Sequence, residues 1–306
     1  MGKIAFLFSG QGAQYSGMGK QLRESSPAAG AVFDLADKVR PGTSSQCFGA
    51  PQEELNRTVN TQPCVYCVDL AAAAALRENG IVPDMAAGFS LGEIPALTFS
   101  GVFSREDGFS LVCKRGEFMN EAAEKSGGGM AAVLKLPNEK VEEICGRYSR
   151  VYPVNYNCPG QVTVAGDQEE LEPFCGEIAA AGGRAVPLAV SGAFHSPFME
   201  SAGVKLCGAL AGIAINSPEI PVYSNYTAEP YESDPAQTCE NIIMQVSHPV
   251  LWQKILEKMS AQGADTFVEV GPGKVLSGLV KKTLSGVAIY HVEDADTLEK
   301  TVAALR

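Results

Sequence analysis

The run Ala87-Gly88-Phe89-Ser90-Leu91-Gly92-Glu93 constrains this chain more than any other segment. It has the form Gly-x-Ser-x-Gly and stands where a strand gives way to a helix. Residues 80–87 have the apolar character of a short buried strand. Residues 93–100 read as a helix whose Pro95 falls in the first turn, where no intrahelical N–H is needed. Glycines on both sides of a serine allow a sharp, strained turn and keep side chains clear of it. The hydroxyl is then lifted above the sheet at the positive end of the helix, and an N–H for an oxyanion comes from the same turn. Ser90 is therefore the candidate nucleophile.

The surrounding pattern agrees with a sheet-and-helix scaffold. Residues 3–8 read as a strand, followed by a loop over 9–19 and by helical patterns at 20–39, 53–57, 62–79 and 105–124. Such alternation predicts an α/β fold with an open, mostly parallel sheet covered by helices on both faces. The character changes at Ser126-Gly127-Gly128-Gly129, which by composition reads as a flexible hinge. Beyond it lie strands at 130–136, 152–157, 161–166 and 184–188, with helices at 138–148 and 168–181. That β-α-β-β-α-β order is ferredoxin-like. After Ser191-Gly192 the chain returns to longer helices and to strands at 222–225, 266–270 and 287–290. The expected organisation is a large subdomain from 1–126 and 192–306 with a small ferredoxin-like subdomain, 127–191, inserted into it.

Composition narrows the function classes. A chain of 306 residues, 45% of them hydrophobic, can bury a large core. A net charge of −11 argues against non-specific nucleic-acid binding, so an anionic substrate must be drawn by a local basic group. Nine scattered cysteines, an odd number, suit reduced thiols in a cytoplasmic protein better than a disulfide framework. Cys64-Val65-Tyr66-Cys67 has no second pair and precedes an alanine-rich run, so it reads as core helix rather than a metal site. No signal peptide is evident, and no stretch reaches the roughly 18 apolar residues that a membrane span needs.

A serine nucleophile needs a base, and the chain has three histidines. His248 in Ser247-His248-Pro249-Val250 suits a cap or turn. His291 follows the last strand, where ordinary α/β-hydrolases keep their catalytic histidine. His195, in Val190-Ser191-Gly192-Ala193-Phe194-His195-Ser196-Pro197, lies at the junction of the two subdomains, a natural place for a cleft-lining base. Spacing favours His195 and leaves the other two open. Gly10-Gln11-Gly12 lacks the third glycine of a dinucleotide loop and any Walker lysine. It can instead aim a backbone N–H at the serine, or be no more than a tight turn. Arg115 falls within an amphipathic helix and, taken alone, reads as solvated.

Together these motifs resemble the malonyl-CoA:acyl carrier protein transacylases along nearly the whole chain. The segments that carry the resemblance include Phe8-Ser9-Gly10-Gln11-Gly12-Ala13-Gln14, Gly88-Phe89-Ser90-Leu91-Gly92-Glu93 and Lys114-Arg115-Gly116-Glu117-Phe118-Met119. Asn155-Tyr156-Asn157-Cys158-Pro159-Gly160-Gln161, Gly192-Ala193-Phe194-His195-Ser196, His248-Pro249-Val250-Leu251-Trp252 and Glu269-Val270-Gly271-Pro272-Gly273-Lys274 follow in the family's order. The resemblance implies an α/β-hydrolase-like core with a ferredoxin-like insert. It also implies ping-pong transfer of a malonyl group from malonyl-CoA to acyl carrier protein for fatty-acid synthesis, with no cofactor or metal and with the protein a cytoplasmic monomer. Ser90 would be acylated, His195 would be the base, and the N–H groups of Gln11 and Leu91 would hold the oxyanion. Arg115 would pair with the malonyl carboxylate. Asn157 would lend a supporting hydrogen bond near the site, and the main-chain carbonyl of Leu251 would orient His195. Phe194 matches a family position where a bulky ring disfavours a methyl branch, so malonyl is preferred over methylmalonyl.

One residue departs from the family pattern: Phe89 stands where a histidine usually precedes the serine. The change leaves the base in place and makes that wall of the site more apolar. Three other functions compete. A discrete acyltransferase serving a polyketide synthase would carry the same motifs. A thioester hydrolase for neutral acyl chains would gain nothing from Arg115. A carrier-protein binding module would not need Ser90 and His195 intact.

Overall fold

The computed structural model describes residues 2–190 and 192–306. Nine strands are present among them: β1 (Lys3–Phe8), β2 (Met85–Gly88), β3 (Gly128–Leu134), β4 (Val151–Cys158), β5 (Gln161–Asp167), β6 (Arg184–Pro187), β7 (Val222–Tyr223), β8 (Ala264–Val270) and β9 (Ala288–Val292). Five form a wholly parallel sheet in the order β7-β2-β1-β8-β9. β1 lies at its centre, and Ala5, Phe6, Leu7 and Phe8 are fully buried. A central parallel strand is covered on both faces, which explains this unbroken apolar run. Phe6 and Phe8 face the core shared with the alanine-rich helix Thr58–Glu78, while Ala5 and Leu7 face Trp252, Ile255 and Leu256 on the other side. No helix among the described residues is long and apolar enough to cross a membrane.

The smaller sheet is antiparallel throughout, in the order β4-β5-β3-β6. Helices Asn138–Cys145 and Gln168–Ala180 close their own core over it, with Val133, Val162, Val164, Phe174 and Ile178 buried inside. Its strands run from Gly128 to Pro187; the expected boundary at Ser191 lies outside the described residues. β4 is also stitched to the larger unit. Tyr156 N–H donates to Val250 O at 2.9 Å, and Val250 N–H donates to Val154 O at 2.8 Å.

Several local expectations are corrected. The helix expected over 20–39 is two helices, Lys20–Ser25 and Pro27–Val39, because Ser26 is extended and its hydroxyl caps the second at Ala29 N–H. The helix expected from 62 begins at Thr58, so Pro63 lies inside it. The glycine run at 127–129 is not a free hinge. Gly127 closes helix Arg105–Ser126 in the left-handed region at φ 62°, and Gly128 and Gly129 already belong to β3. A Cβ on Gly128 would come within 2.7 Å of the Ala193 methyl and 2.9 Å of Gly166 O, so close packing requires the glycine.

Candidate active site

Ligands of open α/β sheets bind outside the carboxyl ends of the strands. Here β1, β2 and β8 end side by side at Phe8, Gly88 and Val270. After β2, Phe89 N–H donates to Phe8 O at 3.0 Å, and the chain turns through Ser90–Gly92 into helix Glu93–Phe99. Ser90 has φ 54°, a left-handed conformation that costs energy for any residue but glycine. The flanking glycines make this possible. A Cβ on Gly88 would lie 1.8 Å from Gly92 O, and one on Gly92 would lie 2.4 Å from Phe8 O. Asn225 braces the turn: its Oδ1 accepts Ser90 N–H at 2.7 Å and its Nδ2 donates to Gly88 O at 2.7 Å. The N–H groups of Leu91 and Gln11 have no acceptor among the described residues.

His195 meets this turn from the junction loop, also in a left-handed conformation, at φ 60°. Its Nε2 lies 2.7 Å from Ser90 Oγ, and its Nδ1 lies 2.8 Å from the main-chain oxygen of Gln245. A carbonyl can only accept, so Nδ1 carries the proton and Nε2 offers its lone pair to the Ser90 hydroxyl. Burial, and then the charge of Arg115, push the imidazole pKa down to about 4 against main-chain hydrogen bonding at Gln245 and His248. The ring is therefore neutral near pH 7.

Arg115 projects from helix Arg105–Ser126 and is buried rather than solvated. Its Nη1 donates to Gln62 Oε1 at 2.8 Å, and its Nη2 donates to Gln245 Oε1 at 2.8 Å and to Ser90 Oγ at 3.3 Å. Its Nε is buried without a partner. Burial lowers its pKa to about 10, with Glu93 opposing, so it is charged at neutral pH. Glu93 is itself buried, accepting from Asn225 N–H, Tyr231 O–H and Gln245 Nε2. Burial pushes its carboxyl up to about 7, against those three donors and Arg115.

A cavity of about 100 Å³ opens on Ser90 and His195, walled by Gln11, Phe89, Asn155 and Phe194. It shares Gln11, Phe89 and Asn155 with an outer cavity of about 240 Å³, where Asn157 lies. Asn155 and Asn157 follow the period of two along β4 and share a face. Asn157 Nδ2 donates to Thr163 Oγ1 at 3.1 Å, and the Oδ1 atoms of both asparagines are buried without partners. Asn155, not singled out in the sequence, is thus the one that lines the cavity opening on the serine. Phe89 packs edge-on to Trp252 with ring centres 5.3 Å apart, and a Cβ on Gly10 would meet its ring at 2.9 Å.

One expected position is corrected. The Leu251 carbonyl does not reach His195: it accepts from Ile255 N–H at 3.0 Å in the first turn of helix Trp252–Ala261, and Gln245 takes its place. The other two histidines are engaged elsewhere. His248 Nδ1 lies 2.9 Å from Met244 O and its ring stands edge-on to Tyr226; His291 sits on the edge strand β9, 3.7 Å from Glu293. Glu93 lies within the serine motif, whereas Gln62, Asn225 and Gln245 carry no signature of their own in the sequence.

The chain belongs to the acyl transferase domain family, whose model matches residues 5–302. Within that family it stands with proteins of one name. It is 41% identical over 313 positions to the malonyl CoA-acyl carrier protein transacylase of Bacillus subtilis, covering 100% of this chain and 98% of the relative. The protein of that name from Escherichia coli K12 is 38% identical, with 92% of this chain and 93% of the relative covered. The crystal structure of the Clostridium perfringens malonyl CoA-acyl carrier protein transacylase superposes with a TM-score of 0.96 at 42% identity, over 99% and 97% of the two chains. A malonyl-transacylase solved in complex with its type II PKS acyl-carrier protein superposes at 0.95 with 34% identity, over 99% of each.

Proposed function

We propose that this protein transfers a malonyl group from malonyl-CoA to the phosphopantetheine thiol of acyl carrier protein, for fatty-acid synthesis, through a malonyl-Ser90 ester. The observation that carries the reading is Arg115: a buried guanidinium, held by neutral amides and without a carboxylate partner, beside the candidate nucleophile. A buried charge with no carboxylate in direct contact costs free energy that the more distant Glu93 offsets only in part, and a substrate carboxylate would offset more. The planar fork of arginine suits a carboxylate bidentately.

The chemistry runs in two balanced halves. Ser90 Oγ attacks the thioester carbonyl while its proton passes to His195 Nε2. The carbonyl oxygen takes the negative charge, facing the free N–H groups of Gln11 and Leu91. Collapse breaks the C–S bond, and the leaving thiolate takes the proton back from His195. In the second half the carrier thiol gives its proton to His195 and attacks the ester; the Ser90 oxygen leaves and is reprotonated. Phe194 lines this cavity, and a bulky ring there would disfavour a methyl branch, which supports malonyl over methylmalonyl.

Likeness to the transacylase solved with a type II PKS carrier favours a second reading, service to a polyketide carrier. Initial rates over a grid of malonyl-CoA and carrier concentrations test the main proposal. Parallel double-reciprocal lines, with a malonyl mass added to the protein when carrier is omitted, are expected. Intersecting lines with no adduct would overturn it. A preference of at least tenfold for a polyketide carrier over a fatty-acid carrier would select the second reading.

A further inference from the structure

We infer that Glu93 is a positioning residue for the transfer reaction, holding His195, Arg115 and the Ser90 turn in register through Gln245 and Asn225. The inference rests on the malonyl-transfer reading and adds to it a group that touches no substrate.

Glu93 opens the helix that follows the serine turn and is 1% exposed. Everything hydrogen-bonded to its carboxyl group donates. Gln245 Nε2 lies 2.9 Å from Oε2, Asn225 N–H lies 3.3 and 3.2 Å from the two oxygens, and Tyr231 O–H bonds to Oε1. Three donors on two oxygens suit a carboxylate, which only accepts.

Two of the three donors lead back to site atoms. Gln245 gives its main-chain oxygen to His195 Nδ1, its Oε1 to Arg115 Nη2, and its Nε2 to both Ser90 O and Glu93. A primary amide can flip end for end. Flipped here, its NH2 would face the Arg115 donor and its oxygen would face two acceptors. The carboxylate, together with Ser90 O, forbids that. Asn225, gripped by its main-chain N–H, in turn holds Ser90 N–H and Gly88 O. Glu93 thus ties the serine helix to the segment after β7 and to the end of helix Pro235–Gln245, from which the acceptor of His195 Nδ1 and one acceptor of Arg115 come.

The test is Glu93→Gln, which keeps the shape, removes the charge and exchanges one of the two acceptor oxygens for an NH2 donor, so that the three donors no longer meet acceptors only. Acylation by malonyl-CoA is followed by rapid quench and mass spectrometry, and rates are divided by the amount of malonyl-Ser90 reached at the end point. The expected result is a 10- to 100-fold lower rate per acylatable serine, with KM for malonyl-CoA within threefold of wild type and a reduced malonyl-to-acetyl ratio. An unchanged rate per acylatable serine, with any loss confined to the folded fraction, would overturn the inference. If Glu93→Gln yields no folded protein, Tyr231→Phe decides. A threefold or larger drop in the same normalised rate supports the role, and an unchanged rate overturns it. Wild-type protein that never forms a malonyl-serine would instead sink the transfer reading, so the two failures are distinguishable.

Discussion

Arg115 Nη2 stands 3.3 Å from Ser90 Oγ, on the same oxygen that His195 Nε2 meets at 2.7 Å. One hydroxyl thus faces both a neutral base and a buried cation. A carboxylate brought to the guanidinium arrives beside the atom that must attack. On the proposed reading, selectivity and reactivity are set by groups that share a single contact.

Arg115→Ala should lower the malonyl-to-acetyl rate ratio at least tenfold. A hydrogen bond to a charged group contributes about 1.5–3 kcal/mol, and the fork would make two. Acetyl-CoA activity should hold or rise, because no unpaired guanidinium remains in the cavity. Arg115→Lys should fall between, with the charge kept and the fork lost. Rates for acetyl-, malonyl- and methylmalonyl-CoA measured side by side decide it; an unchanged ratio in Arg115→Ala would favour a hydrolase of neutral acyl groups.

His195→Ala should slow acylation by about 10²–10⁴, the usual worth of a positioned base, while His291→Ala should stay near wild type. The pH profile carries a further signature. With the imidazole pKa held near 4, the neutral form persists on acidification, so the acid limb of the acylation rate should fall near pH 4 rather than near 6.5. In Arg115→Ala that limb should move to higher pH, since the guanidinium is one of the two causes that lower it. The same shift makes neutral His195 stabilising above about pH 6.5, a contribution lost as the pH falls toward 4.

Ser90→Ala should fold as the wild type does and take up no malonyl group. Intact-mass spectra before and after exposure to malonyl-CoA provide the check. A malonyl adduct on another serine would remove Ser90 from the mechanism.

Gly88→Ala should be poorly tolerated, because the added methyl would stand 1.8 Å from Gly92 O, which is backbone and cannot swing aside. Overpacking of a tight site typically costs about 1–3 kcal/mol, and more is expected against main chain. A thermal melt should show Tm lower by several degrees, with acylation lost at temperatures where the variant is still folded. A melt and rate equal to wild type would mean that the turn relaxes freely.

How much was legible in the sequence depended on whether a role needs a particular side chain. A hydroxyl, an imidazole and a guanidinium leave marks at Ser90, His195 and Arg115, and the structure brings those three together. A carbonyl leaves none, which is why Leu251 was expected where Gln245 stands. Amides such as Gln62 and Asn225 act through long-range closures of the fold, across 53 and 135 positions, that no local period reports. The antiparallel insert was readable because its strands and helices alternate locally. The bend at Ser26 and the strand start at Gly128 were not, since capping and close packing override the simpler reading of Ser-Pro and of a glycine run.

The two main-chain bonds between β4 and Val250 bear on how the cleft handles partners of unequal size. They pin the insert to the larger unit beside Asn155, close in sequence to the segment that serves His195. Opening the slot by swinging the insert would break both. On the proposed reading, coenzyme A and a whole carrier protein present the same slender pantetheine arm to a cleft whose two sides these bonds join. The protein then need not know which donor or acceptor stands outside. It gauges the arm and the carboxylate, and leaves the identity of the carrier to whatever touches the rim.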